Sequence, residues 1–237
     1  MKRVIAWLAL SLGLGLPPAM AEEAAAHNPD PWEGVNRKIF VFNDTADRWV
    51  LKPVAKGYQW IAPQFVEDGV GNFFNNLGEV SNVVNNLLQG KFTDSASDGG
   101  RLLINTTVGV LGFFDVDSRW GLPRHEEDLG QTLGHWGISS GPFLMVPLLG
   151  PRTVRDGFGN VGDYYTNPVT YVDPVRSRNQ ISAVGVIDLR AQLLKTEELI
   201  SGDRYIFMRD AYLQRREFLV RDGQVQDSFG DEDFEEF

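Results

Sequence analysis

The chain has 237 residues, 43% of them hydrophobic and 23% charged, and its 22 Lys and Arg against 32 Asp and Glu give a formal net charge of −10. That sign excludes a nucleic-acid binder, which needs basic patches, and gives no long-range attraction to anionic lipid. Cysteine is absent, which excludes a disulfide framework, a thiol nucleophile and an acylated N-terminal cysteine.

Residues 1–21 read as a cleaved secretory signal. Lys2 and Arg3 form a basic start, Val4 to Leu16 a short apolar run, and Ala19-Met20-Ala21 an A-x-A cleavage site. Cleavage leaves about 216 residues, enough for one domain with its own core. Loss of the two cations takes the net charge from −10 to −12. Residues 22–29 read as a linker, 30–222 as a single helical domain and 223–237 as an acidic disordered tail. After the signal no apolar run reaches 18 residues, so no ordinary transmembrane helix is expected.

The first predicted helix starts at Asp30-Pro31-Trp32, with Asp30 as cap and Pro31 at the first helical position. Val35, Ile39, Phe42, Ala46 and Trp49 recur at helical spacing, and Phe40 and Val41 widen the apolar arc beyond one stripe. Such a helix is deeply buried or lies against lipid. Pro53 is expected to interrupt it. Tyr58, Trp60 and Ile61 follow, and suit either a water–lipid boundary or an ordinary core.

Gln64 to Gln89 carries the clearest periodicity. Val66, Val70, Phe73, Leu77, Val80, Val84 and Leu87 share one arc, while Asn72, Asn75, Asn76, Asn82, Asn85 and Asn86 share the opposite one. Between Gly69 and Gly90 only Glu79 is charged. A solvated face normally carries Lys and Glu, which also favour helix more than Asn does. Two readings stand for the asparagine arc: a functional face that lines a wet groove or pore or meets lipid head groups, or close helix packing through amide hydrogen bonds. A further helix, capped at Thr93 or Asp94, runs toward Phe113-Phe114. Asp115 to Asp128 reads as an exposed loop.

The stretch Leu129 to Gly159 organises the rest. It is rich in glycine, then apolar from Phe143 to Leu149, with prolines at 142, 147 and 151. Even a helix of roughly 9 residues reaches only about 13 Å, against roughly 30 Å for a bilayer core. The run is therefore a loop packed over a core, a buried core segment or a re-entrant, half-depth piece. Asn160 to Pro174 is aromatic and turn-rich. Ser177 to Ile200 reads as one helix, and Asp203 caps another, Arg204 to Arg221, with Tyr205, Met208, Tyr212 and Leu219 inward and several arginines outward. No alternation of period two stands out, and no repeat of fixed period. The class is mostly α.

Catalytic patterns are weak. His125, His135, Asp128 and Ser139 or Ser140 can be assembled into a triad on paper, but no G-x-S-x-G elbow exists. His125-Glu126-Glu127-Asp128 lacks metal-ligand spacing and reads as solvated acids on a loop. No cofactor, metal site or catalytic residue is expected. A soluble periplasmic hydrolase using His125 or His135 is the competing enzymatic reading.

Several blocks carry a resemblance. Asn28 to Asn43 (NPDPWEGVNRKIFVFN), Leu88 to Lys91, Leu111 to Val116, Glu127 to Gly137 and Gly141 to Asp156 resemble the VacJ/MlaA family of outer-membrane proteins, as do Arg190 to Leu194 and Asp203 to Phe218. The resemblance covers roughly residues 28 to 222. It implies a ring of amphipathic helices embedded in one leaflet around a polar channel, on the periplasmic side of the outer membrane. It also implies removal of misplaced phospholipid from the outer leaflet, with a trimeric porin and a soluble MlaC-like periplasmic carrier as partners. A soluble or porin-associated scaffold without transfer activity is the alternative. The candidate lipid-contacting or channel residues are Phe42, Asn43, Asn72, Asn76, Phe143, Leu144, Met145, Val146, Leu148 and Leu149. Many family members carry an acylated N-terminal cysteine, and this sequence departs from them in having none.

Overall fold

The computed structural model describes residues 28–194, 197 and 202–224. The expected signal, nearly all of the linker and nearly all of the acidic tail lie outside the described residues. The fold is mostly helical: α1 (Glu33–Ala46), α2 (Lys52–Ile61), α3 (Gln64–Leu88), α4 (Phe92–Thr107), α5 (Leu129–His135), α6 (Val154–Thr166), α7 (Val175–Gln192) and α8 (Arg204–Val220). Between α5 and α6 lies an antiparallel hairpin of β1 (Phe143–Val146) and β2 (Gly150–Thr153), with Phe143 opposite Thr153 and Val146 opposite Gly150. Among the described residues no helix is long and apolar enough to cross a membrane.

The packing order closes on itself. A π-helical turn, Asp47–Leu51, joins α1 to α2. Then α2 packs on α7, α7 on α3, α3 on α5, α5 on α8, α8 on β2, and β1 back on α1. Helices α4 and α6 flank α3. One small apolar core sits where the cycle closes: Phe143, Met145 and Tyr205 are buried, with Ile39, Phe40, Met208, Tyr212 and Leu213 against them. The ring centroids of Phe143 and Tyr205 lie 6.3 Å apart, edge to face, an arrangement that favours aromatic quadrupoles.

Several expectations are corrected. Helix α1 begins at Glu33, after Trp32, and Asp30 does not cap it. Instead Asp30 is buried and accepts from Asn36 Nδ2 at 2.8 Å and from the Tyr205 hydroxyl. Pro53 does not break the chain, because it falls in the first turn of α2, where its missing N–H is tolerated after the wider π turn. Phe143 to Leu149 is not helical: the left-handed backbone at Leu148 (φ 62°) and Gly150 (φ 80°) folds it into a hairpin, which sets Phe143 and Met145 in the core. Asp115 to Asp128 is not simply exposed: a 3₁₀ turn, Asp117–Trp120, carries the fully buried Asp117. Helix α6 extends through what reads as turns up to Thr166. Helix α7 starts at Val175 and ends at Gln192, and the end expected at Ile200 lies outside the described residues. The Asp203 cap holds, its carboxylate accepting from the Tyr205 and Ile206 N–H groups. On α8, Arg216 points inward.

Candidate functional site: a polar interior behind an apolar surface

The α3 helix is inverted relative to an ordinary surface helix. Its buried positions are Gly69, Gly71, Asn76, Glu79, Asn82, Asn85 and Asn86, while Leu87, Leu88 and Phe65 are exposed. The same inversion holds throughout. Among the described residues six apolar side chains are buried, against nineteen that are polar or charged. Large apolar side chains are exposed on every long helix, Trp60 at 86%, Trp49 at 79% and Ile61 at 75%. A water-soluble domain of this size places its aliphatic side chains inside and leaves few such patches outside.

The asparagine arc divides into two parts. Toward the C-terminus it is helix packing through amide hydrogen bonds. Asn82 donates to Glu79 Oε2 at 2.9 Å and accepts the Glu127 N–H at 3.0 Å. Asn85 accepts from the Thr132 hydroxyl at 2.9 Å, and Asn86 donates to Asp98 at 2.8 Å. Toward the N-terminus the arc lines a polar cavity of about 260 Å³ between α3, α4 and the 115–124 segment. Asn72, Asn75 and Asn76 face it, with Glu79, Arg101, Asp115 and Arg124. Asn76 Nδ2 donates to the Thr106 hydroxyl at 2.9 Å, and its buried Oδ1 has no hydrogen-bond partner.

Charge in the cavity is interleaved. Glu79 stands between Arg101 Nε at 3.5 Å and Arg124 Nε at 3.3 Å. Behind it Arg101 Nη1 lies 3.1 Å from Asp117, which also accepts from Asn105 Nδ2 at 2.8 Å. Burial raises the Glu79 carboxyl above the ordinary range, against the pull of Asn82 and the two guanidinium groups. Burial and the neighbouring Asp115 push Asp117 up to about 6. The lone charge between Gly69 and Gly90, Glu79, is the sequence signal for this site. Arg101, Asp115 and Arg124 come from other segments, and nothing in their spacing connects them to it.

The hairpin is tied to α1 by two asparagines seven residues apart. Asn36 donates to the Phe143 carbonyl at 3.1 Å and accepts the Met145 N–H at 2.9 Å, so it caps the free edge of β1 like a third strand. Asn43 donates to the Val146 carbonyl at 3.0 Å and accepts the Leu148 N–H at 2.8 Å. The sequence candidates therefore separate. Phe42, Leu148 and Leu149 are exposed, Leu144 and Val146 are half-buried, and Phe143 and Met145 are sealed in the core. Asn43 holds the turn, while Asn72 and Asn76 line the cavity on a different part of the ring.

The catalytic candidates do not converge. His125 Nδ1 sits 3.0 Å from Asp98, Glu126 meets Arg215 at 3.0 Å, Glu127 meets Lys91 at 3.0 Å, and Asp128 caps α5 and pairs with Arg216. These acids are held by separate partners rather than solvated together. His135 and Ser139-Ser140 are exposed. No group of three or more metal-ligating side chains occurs among the described residues.

Residues 28–219 match the family model described as "MlaA lipoprotein". The "Intermembrane phospholipid transport system lipoprotein MlaA" of Escherichia coli K12 is 34% identical over 226 residues, 92% of this chain and 90% of that protein. Its Haemophilus influenzae namesake is 32% identical over 210 residues, 84% of this chain and 82% of that protein. A chain solved in work on the "structural basis for maintenance of bacterial outer membrane lipid asymmetry" superposes with a TM-score of 0.72 at 35% identity, over 81% of this chain and all of that one. The ring of amphipathic helices around polar side chains is thus a family architecture, and the chain belongs to the MlaA family.

Proposed function

We propose that this protein moves phospholipids between membranes, taking misplaced molecules from the outer leaflet of the outer membrane and passing them to a soluble periplasmic carrier. The observation that carries this reading is the inverted distribution of polarity. A phospholipid joins a charged head to apolar tails. A head group crossing hydrocarbon unaided meets a large desolvation cost. A polar interior offers it hydrogen-bonding partners, and an apolar exterior keeps the tails in hydrocarbon. Transfer of this kind breaks no covalent bond, consistent with acids that are held by separate partners and with His125 paired to Asp98.

The seating is the periplasmic leaflet. Among the described residues no helix is both long and apolar enough to span, and helices that are apolar on their outer faces alone lie within one leaflet rather than across two. The 237 residues contain no cysteine, so the seating they provide rests on exposed apolar area, worth roughly 25 cal/mol per Å² removed from water. A trimeric porin beside the ring is the partner the family resemblance implies, and the exposed apolar faces offer it a surface.

The test is genetic and chemical. Deletion in the native cell should raise the amount of phospholipid amine accessible to a membrane-impermeant reagent, and the wild-type chain should restore it. Unchanged surface phospholipid with fewer porin trimers would make the protein a scaffold instead.

A further inference from the structure

We propose that the cavity between α3, α4 and the 115–124 segment is a head-group site selective for a zwitterion that pairs a phosphate with an ammonium, over a head group that is only anionic. The inference rests on the phospholipid reading and adds a specificity to it. The walls carry charge of both signs: Arg101 and Arg124 on one side of the balance, Glu79 and Asp115 on the other. The Arg101 side chain is 7% exposed and that of Glu79 2%, so both charges are set in the wall rather than waving in solvent. Asp117, fully buried behind them, offsets Arg101 at 3.1 Å. Among the described side chains an anion without a cation of its own would therefore meet carboxylates at least as numerous as guanidinium groups. A phosphate with a tethered ammonium meets a partner for each end.

A further observation points to a ligand with tails: the chain next to the cavity is suited to meet lipid. Val108, Val110, Leu111 and Phe114 are all more than half exposed and immediately precede Asp115. Val110 and Leu111 hold left-handed backbone, φ 55° and 58°, which β-branched and bulky residues seldom adopt. If that apolar tip enters hydrocarbon, the cavity beside it stands at head-group depth.

The experiment uses tailless head groups, so that the apolar exterior takes no part. Glycerophosphoethanolamine and glycerophosphoglycerol are titrated against the full chain in detergent, with saturation transfer to the head-group protons as the readout. The expected result is binding of glycerophosphoethanolamine about tenfold tighter, the scale of one charge-assisted hydrogen bond. Asp115→Asn should abolish that preference while leaving thermal unfolding in place, and Arg124→Gln should weaken both probes. Equal binding of the two, no binding of either, or inorganic phosphate competing as well as the zwitterion would overturn the proposal. Those outcomes leave the transport reading to its own test, because surface phospholipid in the deletion strain does not depend on head-group preference.

Discussion

Asn43 grips both sides of the hairpin turn at once, its Nδ2 on the Val146 carbonyl at 3.0 Å and its Oδ1 on the Leu148 N–H at 2.8 Å. The turn needs that grip because Leu148 sits at φ 62°, a left-handed conformation that costs an L-residue roughly 1–2 kcal/mol. Asn43→Ala removes both bonds, and at about 0.5–1.5 kcal/mol each the loss should be on the order of 2 kcal/mol. Faster proteolysis between Pro147 and Gly150 and a lower unfolding midpoint are the expected results. Leu148→Gly, by contrast, should stabilise the turn slightly or leave it unchanged, since glycine adopts this φ without strain and that relief offsets its larger unfolded-state entropy.

Helix α6 offers a matched pair of glycines. A methyl at Gly159 would lie 2.7 Å from the Gly130 Cα and closer still to its backbone nitrogen, while one at Gly157 meets nothing within 4 Å. Backbone cannot move aside as a flexible side chain can, so Gly159→Ala should force α5 and α6 apart and cost about 3 kcal/mol or more. Gly157→Ala should be neutral or gain up to about 1 kcal/mol from helix propensity. Thermal unfolding of the two variants side by side checks both signs.

How far the sequence discloses this depends on the element. The α3 periodicity and the Asp203 cap are legible because each follows a local rule, a repeat of 3.6 residues or a side chain reaching its own helix. The hairpin is hidden because Phe143-Leu144-Met145-Val146 is apolar throughout. Its alternation exists in burial, with Phe143 and Met145 inside, and not in residue type. The asparagine arc is legible as a pair of alternatives, packing or a polar wall, and the structure has packing toward its C-terminus and the wall toward its N-terminus; residue type alone does not say where one gives way to the other. The cavity is the least legible part, since Glu79 meets Arg101 and Arg124 only after α3, α4 and the following segment have folded together.

The Asp117 carboxyl should leave a mark on stability against pH. Its folded value of about 6 lies above the ordinary 3.8, through burial and then Asp115, so the folded state holds a proton that the unfolded chain releases. The stability this group contributes is full below the unfolded value and is lost as pH rises through about 6. Chemical unfolding of the wild type between pH 4 and 7 should show that downward component, and Asp117→Asn should flatten it. An identical slope in the variant would place the proton elsewhere.

Trp60 and Ile61, at the end of α2, separate the seating of the protein from ordinary surface tolerance. They are 86% and 75% exposed. On a water-facing surface, replacing such a residue by a polar one changes stability by within about 0.5 kcal/mol. Facing hydrocarbon, an aspartate costs up to roughly 3 kcal/mol, less near the interface. The double variant Trp60→Ser, Ile61→Asp should therefore leave the fold intact in detergent, yet be washed from isolated outer membranes by high salt or alkaline carbonate that the wild type resists. Salt release of the wild type itself would make it peripheral. Full retention of the variant would assign this face to a protein partner, because an interface with a porin would keep its remaining contacts when one apolar corner is lost.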